Sequence, residues 1–86
     1  MTYDLIIKKQ AKKKLQSLSN ALKIRITEKI IWLGKNPDDK NLDIKKLVGS
    51  HYYRLRVGDW PIIYERKDQI KVISIEALKP RGDAYK

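Results

Sequence analysis

The sequence predicts an α+β domain in which an antiparallel helical hairpin packs on one face of a mainly antiparallel sheet. Residues 2–7 combine β-branched and aromatic side chains, which is typical of a strand. Two segments with apolar residues at helical spacing follow, and three short alternating segments separated by turn residues come after them. In a chain of 86 residues, these elements fit a single domain over residues 1–86.

Both helices are predicted from the spacing of their apolar residues. The first covers residues 8–18, with apolar residues on one face and lysines around the rest. The second covers residues 21–34; Ser19 or Asn20 caps its start, and Gly34 is predicted to stop it. Because few residues join the helices, we expect antiparallel neighbours, with the second helix between the first helix and the sheet.

The C-terminal half is predicted to form an antiparallel meander. A short approach segment covers residues 44–48, and the connections at 58–59 and 67–68 are two residues long. The three strands of the meander cover residues 52–57, 60–66 and 70–77.

The first meander strand has two different faces, because successive side chains of a strand point to opposite sides. Tyr53, Leu55 and Val57 fall on the side predicted to meet the helices. Arg54 and Arg56 fall on the other side, which no remaining element can cover. We therefore expect an open sheet face that carries two exposed guanidinium groups.

The charge balance favours a polyanionic partner. Lysine and arginine number 20 against 10 for aspartate and glutamate, a formal net charge of +10, and nucleic acid is the partner class that we favour. With no cysteine and a single histidine, disulfides, Cys-ligated zinc and two-histidine sites are excluded, and we expect neither metal nor cofactor. No run approaches the roughly 20 apolar residues of a membrane span. The N-terminus also lacks a secretory pattern, so the sequence predicts a cytoplasmic protein with no membrane partner.

Cationic residues near the open face have the chemistry that RNA cleavage requires. When a ribose 2′-OH attacks the adjacent phosphate, fixed cations stabilise the extra negative charge, and arginine grips phosphate oxygens without losing its proton. A tyrosine or lysine beside such cations can carry the protons. If the tail folds back beside the strand, this set is Arg54, Arg56, Lys79, Arg81 and Tyr85. From spacing alone, solvated surface arginines are an equally good interpretation.

Other candidate residues have a structural interpretation that we favour. Asp38 and Asp39 follow a proline and are predicted to form a turn rather than a metal site. His51 lies in a turn and is predicted to be structural rather than a general base. Trp60 and Tyr64 share a strand face and are predicted to pack in the core rather than to stack on a base.

Four segments form a pattern that spans the second half of the chain: residues 46–49 (KLVG), 53–60 (YRLRVGDW), 62–65 (IIYE) and 79–85 (KPRGDAY). Together with the order of elements, they resemble the RelE/ParE superfamily of bacterial toxins over essentially the whole chain. For RelE-like members the resemblance implies ribosome-dependent cleavage of mRNA, held in check by a cognate antitoxin. It implies strand cations at Arg54 and Arg56, a tail cation at Arg81 or Lys79, and a functional tyrosine at Tyr85.

The implied partners are a cognate antitoxin in a hetero-oligomer, mRNA and ribosomal RNA. The predicted RNA- or ribosome-binding residues are the lysines of the first helix and of the approach segment: Lys8, Lys9, Lys12, Lys13, Lys45 and Lys46.

One position departs from the RelE-like pattern. Such sequences commonly carry an arginine after the aromatic residue that opens the next strand, whereas this chain has Pro61 after Trp60. The missing cation keeps two alternatives open. One is a ParE-like toxin that inhibits DNA gyrase without cleaving RNA; the other is a non-catalytic RNA- or ribosome-binding module.

Overall fold

The computed structural model describes residues 2–79, which form two helices and one five-stranded sheet. In chain order the elements are β1 (Asp4–Ile7), α1 (Lys9–Gln16), α2 (Asn20–Lys35), β2 (Ile44–Lys46), β3 (Tyr52–Val57), β4 (Trp60–Lys67) and β5 (Val72–Leu78). The strand order across the sheet is β1-β5-β4-β3-β2. β1 is parallel to β5 and the other neighbours are antiparallel, so the predicted α+β class and the meander are confirmed.

Both helices pack directly on the same face of the sheet. α1 contacts β5, while α2 contacts β1 and β3. Ala11 and Leu15 of α1 join the core that contains Ile26 and Ile30 of α2 and Leu55 of β3. The expectation that α2 lies between α1 and the sheet is therefore wrong, because the apolar face of each helix is buried against strands. Within residues 2–79, no helix is long and apolar enough to cross a membrane.

Gly34 has a different role from the predicted helix stop. α2 continues to Lys35, and Gly34 is buried inside it. The Tyr3 backbone N–H donates to the Gly34 carbonyl at 2.7 Å. A Cβ at Gly34 would lie 3.0–3.2 Å from the side-chain carbons of Leu5. The missing side chain thus allows β1 to approach the last turn of α2.

Two features of the predicted turns are observed in the structure, and a third differs from its prediction. Ser19 is the N-cap of α2, and its hydroxyl accepts a hydrogen bond from the Leu22 N–H at 3.4 Å. Gly58 has a φ of 60°, which suits the first position of a two-residue hairpin loop. The β4–β5 connection covers four residues, 68–71, instead of two. Its last residue, Lys71, adopts a left-handed backbone conformation with a φ of 56°.

Candidate functional site

Arg56 and Lys79 are exposed on the sheet face opposite the helices, with Pro61 between them. Arg56 pairs with Pro61 across β3 and β4, and the Lys79 N–H donates to the Pro61 carbonyl at 3.2 Å. Neighbouring strands are about 4.8 Å apart, so the Cα atoms of Arg56 and Lys79 are about 10 Å apart. A phosphate between these two exposed residues is therefore within reach of both cationic side chains. We call Arg56, Pro61 and Lys79 the cationic row.

A proline within a strand argues against a hydrogen bond from that position to a neighbouring strand, but the Pro61 carbonyl accepts one. Proline has no N–H with which to return the second bond of an antiparallel pair. β5 ends at Leu78, one residue before Lys79, which agrees with this half-formed pairing.

Arg54 is buried, which contradicts the expectation of two exposed arginines on this strand. Its side chain is 11% exposed, and Nη2 lies 3.1 Å from Oδ1 of Asp43, whose side chain is 56% exposed. The Asp43 carbonyl also accepts a hydrogen bond from the Arg56 N–H at 2.9 Å. The carboxylate holds the guanidinium down at the edge of the sheet, so Arg56 is the exposed arginine of β3. Sequence reasoning missed Asp43; its position just before a segment that pairs with β3 is the signal that could have identified it.

Arg81 and Tyr85, the predicted tail cation and functional tyrosine, lie outside the described residues. The predicted approach of the tail to the strand therefore stays a prediction. Lys79 is the one predicted tail residue that lies within residues 2–79.

The predicted RNA-binding lysines fall into two groups on different sides of the sheet. Lys8, Lys9, Lys12 and Lys13 are exposed at and along α1, which packs on the face away from the cationic row. Lys45 pairs with Arg54 across β2 and β3, which puts both side chains on the face of the cationic row. Lys46 pairs with Tyr53, so its side chain starts on the helix side, at the edge of the sheet. The structure thus brings Lys45 to the face of the candidate site and Lys46 to its edge, but brings none of the α1 lysines there.

The aromatic residues of β4 belong to the core, as predicted. Tyr64 is 1% exposed and stacks on Tyr53 with ring centroids 5.5 Å apart. Burial raises the pKa of the Tyr64 hydroxyl, which keeps this group protonated at neutral pH. Trp60 is partly buried against the core, with the ammonium of Lys14 lying 5.8 Å from its ring centroid. His51 is exposed in the loop between β2 and β3.

The aspartates of the α2–β2 connection serve the fold. Asp39 accepts hydrogen bonds from the Trp32 Nε1–H at 2.8 Å and from the Asn41 N–H at 2.9 Å. Asp38 bonds Arg66 through both carboxylate oxygens, at 2.8 and 3.1 Å. Within residues 2–79, no group of three or more His, Cys, Asp or Glu side chains could hold a metal ion.

Arg66 ties together four parts of the chain, a role that the sequence analysis missed. Besides Asp38 it bonds Asp68 at 2.6 Å and the Tyr3 hydroxyl at 3.4 Å, and its guanidinium lies over the Tyr3 ring. Hydrogen bonds from Arg66 hold the pKa of both Asp38 and Asp68 below its ordinary value. These contacts join the α2–β2 connection and β4 to the β4–β5 turn and to the residue just before β1.

Known proteins match the chain along most of its length. A family model described as "ParE toxin of type II toxin-antitoxin system, parDE" matches residues 5–85. A chain of the archaeal RelE–RelB complex from Pyrococcus horikoshii OT3 is 42% identical with a TM-score of 0.83, and the match covers 95% of this chain and 98% of that chain. A chain of the RelB–RelE complex from Methanococcus jannaschii is 30% identical with a TM-score of 0.76, covering 93% and 94%. The isolated RelE toxin of E. coli, 18% identical with a TM-score of 0.76 and covering 98% and 92%, shares the fold. No curated protein matches the sequence.

The family match and the archaeal matches agree with the motifs quoted above, so the predicted superfamily is confirmed. The family model is of the ParE type and the similar structures carry the RelE name, which means that the matches establish the superfamily rather than the reaction. This chain belongs to the RelE/ParE superfamily of toxins from type II toxin–antitoxin systems.

Proposed function

We propose that this toxin is an endoribonuclease that cleaves mRNA on the ribosome in the cytoplasm. The observation that carries the proposal is the cationic row, in which the exposed Arg56 and Lys79 flank the buried Pro61 on the sheet face opposite the helices. Arg56 lies within β3, and the Lys79 backbone is hydrogen-bonded to β4. Oriented cations stabilise developing charge better than mobile ones do. The 42% identity to a chain of a RelE–RelB complex supports the RelE-like reaction.

In the proposed reaction, the 2′-OH of a ribose attacks the adjacent phosphorus and the 5′-oxygen of the next nucleotide leaves. Arg56 binds one of the two non-bridging phosphate oxygens, and Lys79 binds the other. Their charges stabilise the pentacoordinate phosphate more than the ground state because negative charge accumulates there. We assign the additional cation to Arg81 and proton transfer to Tyr85, as the family resemblance implies.

The test replaces Arg56 with alanine. We expect cleavage of mRNA on translating ribosomes to fall by about 10²–10³, the usual cost of losing one oriented donor to the transition state. The fold should survive, since Arg56 is exposed. Lys35→Ala, which removes an exposed lysine at the C-terminal end of α2, on the helix side of the sheet, is the matched control. Mapping the 5′ ends of transcripts after induction detects the cleavage products. Intact transcripts with the wild-type toxin would refute the proposal.

Gyrase inhibition is the second candidate function. Two observations favour it: the family model is of the ParE type, and Pro61 stands where RelE-like sequences carry a cation. Purified gyrase assayed for supercoiling separates the two reactions. Inhibition by the toxin with no RNA cleavage would establish the ParE-like activity, whereas full supercoiling activity at saturating toxin would remove it.

A non-catalytic RNA-binding module is the third candidate, and the net charge of +10 is the observation behind it. It predicts steeply salt-dependent binding and unchanged RNA after long incubation. A cleaved product would exclude it.

We also propose that a cognate antitoxin binds this toxin in a hetero-oligomer, because the similar archaeal chains are solved in RelB complexes. The outer side of α2 offers a surface for it. Ile24 and Ile31 are 58% and 46% exposed there, and a cleft of about 270 Å³ opens beside Ile31 and Trp32. Ile24→Glu combined with Ile31→Glu should weaken co-purification with the product of the adjacent reading frame. Unchanged co-purification would show that the antitoxin binds another surface of the toxin.

A further inference from the structure

The loop between β2 and β3 forms two clefts at the edge of the candidate site. One, of about 320 Å³, is lined by Lys45, Lys46, Leu47, Val48 and Arg54. The other, of about 480 Å³, shares Lys46, Leu47 and Val48 and continues along the loop to residue 51. The first cleft includes Arg54, which shares a sheet face with Arg56. Residues two apart on a strand are separated by about 7 Å, so the cleft begins next to the cationic row.

Two like charges face each other across the strands at this cleft. Lys45 is directly opposite Arg54 in the β2–β3 register, and like charges in that position are destabilising. The ion pair with Asp43 compensates the charge of Arg54. Lys46 follows Lys45 and is exposed as well, so the cleft keeps an excess of positive charge that an anion would neutralise.

The loop also displays an apolar side chain on a fixed backbone. Val48 is 98% exposed. The loop around it is closed by hydrogen bonds from the Leu47 N–H to the Tyr52 carbonyl at 3.0 Å and from the Ser50 N–H to the Leu47 carbonyl at 3.3 Å. The Ser50 hydroxyl also accepts a bond from the Tyr52 N–H at 3.1 Å. An isolated apolar group held out among lysines fits a ligand with both negative charge and flat apolar faces.

We propose that this cleft binds single-stranded RNA, holding the nucleotide next to the one whose phosphate occupies the cationic row. Lys45 and Lys46 bind the phosphate of that nucleotide, and its base packs against Leu47 and Val48. Apolar side chains inserted beside bases are a known mode of nucleic-acid contact. A protein partner fits less well, because the centres of protein–protein interfaces are depleted in lysine. This inference rests on the proposed RNA-cleaving function and assigns to that function a subsite that contacts a base.

The test measures binding of labelled RNA oligonucleotides with 2′-O-methyl groups, which cannot be cleaved by 2′-OH attack. Val48→Asp should weaken binding at least about tenfold, because it removes the apolar contact and places a carboxylate beside phosphate. Ile70→Asp is the matched control, since Ile70 is also exposed, at 64%, in the turn between β4 and β5. Comparing Val48→Ala with Ile70→Ala measures the loss of the apolar contact without adding a charge. Lys46→Ala should make the slope of log K against log salt concentration shallower by about 0.7. Lys40→Ala should leave that slope unchanged.

Equal affinities of Val48→Asp and Ile70→Asp would overturn the inference. So would tighter binding of an acidic peptide than of RNA at the same residues, which would identify a protein-docking site. Because the oligonucleotide is not cleaved, the result is independent of catalysis. Loss of RNA binding by Val48→Asp together with an inactive wild-type toxin would refute the proposed cleavage but support the cleft. Active cleavage with unaffected Val48 variants would refute only the cleft.

Discussion

Replacing Pro61 with arginine adds a third cation to the row, and we expect cleavage of RNA to accelerate. The new side chain would rise between Arg56 and Lys79, at the position nearest to a phosphate that both of them contact. Loss of one oriented donor typically costs about 10²–10³ in rate. Because two cations already share the charge here, we expect a gain of about 10–10²-fold.

Pro61 is buried, and an arginine at this position keeps its aliphatic stem over the sheet while its guanidinium reaches solvent. The stability of the Pro61→Arg variant should then stay close to that of the natural chain, because two further effects oppose each other. Arginine restores a backbone N–H that can return the hydrogen bond to Lys79, worth about 0.5–1.5 kcal/mol. Its charge repels each neighbour by about 0.8 kcal/mol at 5 Å in water, and salt and flexible side chains reduce this further. The net change in the free energy of unfolding should be within about 1 kcal/mol.

The assay is single-turnover cleavage of mRNA on programmed ribosomes, with a chelator present that removes transition metals and spares Mg²⁺. Pro61→Gln is the matched control, since it restores the N–H and lengthens the side chain without adding charge. We expect Pro61→Gln to cleave like the natural chain. If Pro61→Arg is no faster than Pro61→Gln while both melt normally, the cationic row is not the phosphate site.

Three further changes test the fold and its link to the site. Arg66→Met should lower the free energy of unfolding by about 1–2 kcal/mol, or several degrees in Tm; the loss should shrink in acid. The lowered pKa values of its aspartate partners stabilise the fold above their ordinary 3.8 and cease to do so as the pH falls through the folded values. An equal loss at pH 7 and pH 2 would contradict this. Gly34→Val should lower the free energy of unfolding by about 1–3 kcal/mol, because the added side chain overpacks against Leu5. The double variant that also carries Leu5→Ala should recover part of this loss in chemical denaturation. If it recovers none, the contact with Leu5 is not the cause. Arg54→Ala should lower Tm as well as cleavage, unlike Arg56→Ala, because Arg54 is buried in an ion pair. Matching melting curves for those two variants would show that the pair contributes no stability.

The strands of the meander could be predicted because their information is local. Alternation placed Leu55 and Val57 in the core, and both are at most 2% exposed. Gly58 marked the hairpin turn, since a φ of 60° suits glycine. Tyr64 was assigned to the core by the apolar residues of its own face, and it is buried there.

The errors concern residues whose partners are distant in the sequence. Arg54 looked exposed because alternation gives the face of a strand and says nothing about a carboxylate just before the neighbouring strand. Gly34 looked like a helix stop because its contact with Leu5 depends on how β1 crosses α2. Arg66 looked like an ordinary strand end, although its partners come from both halves of the chain. Tertiary pairing, rather than local propensity, decides each of these positions.

The distribution of charge also limits where RNA specificity can arise. Basic residues lie on both sides of the sheet, with the α1 lysines on one side and Arg56 and Lys79 on the other. Contacts of this kind bind phosphates, and phosphate contacts carry no direct sequence information. A preference for a particular base therefore needs a side chain that touches the base itself. Val48, exposed on a hydrogen-bonded loop beside the cationic row, has the position and the apolar surface for that contact.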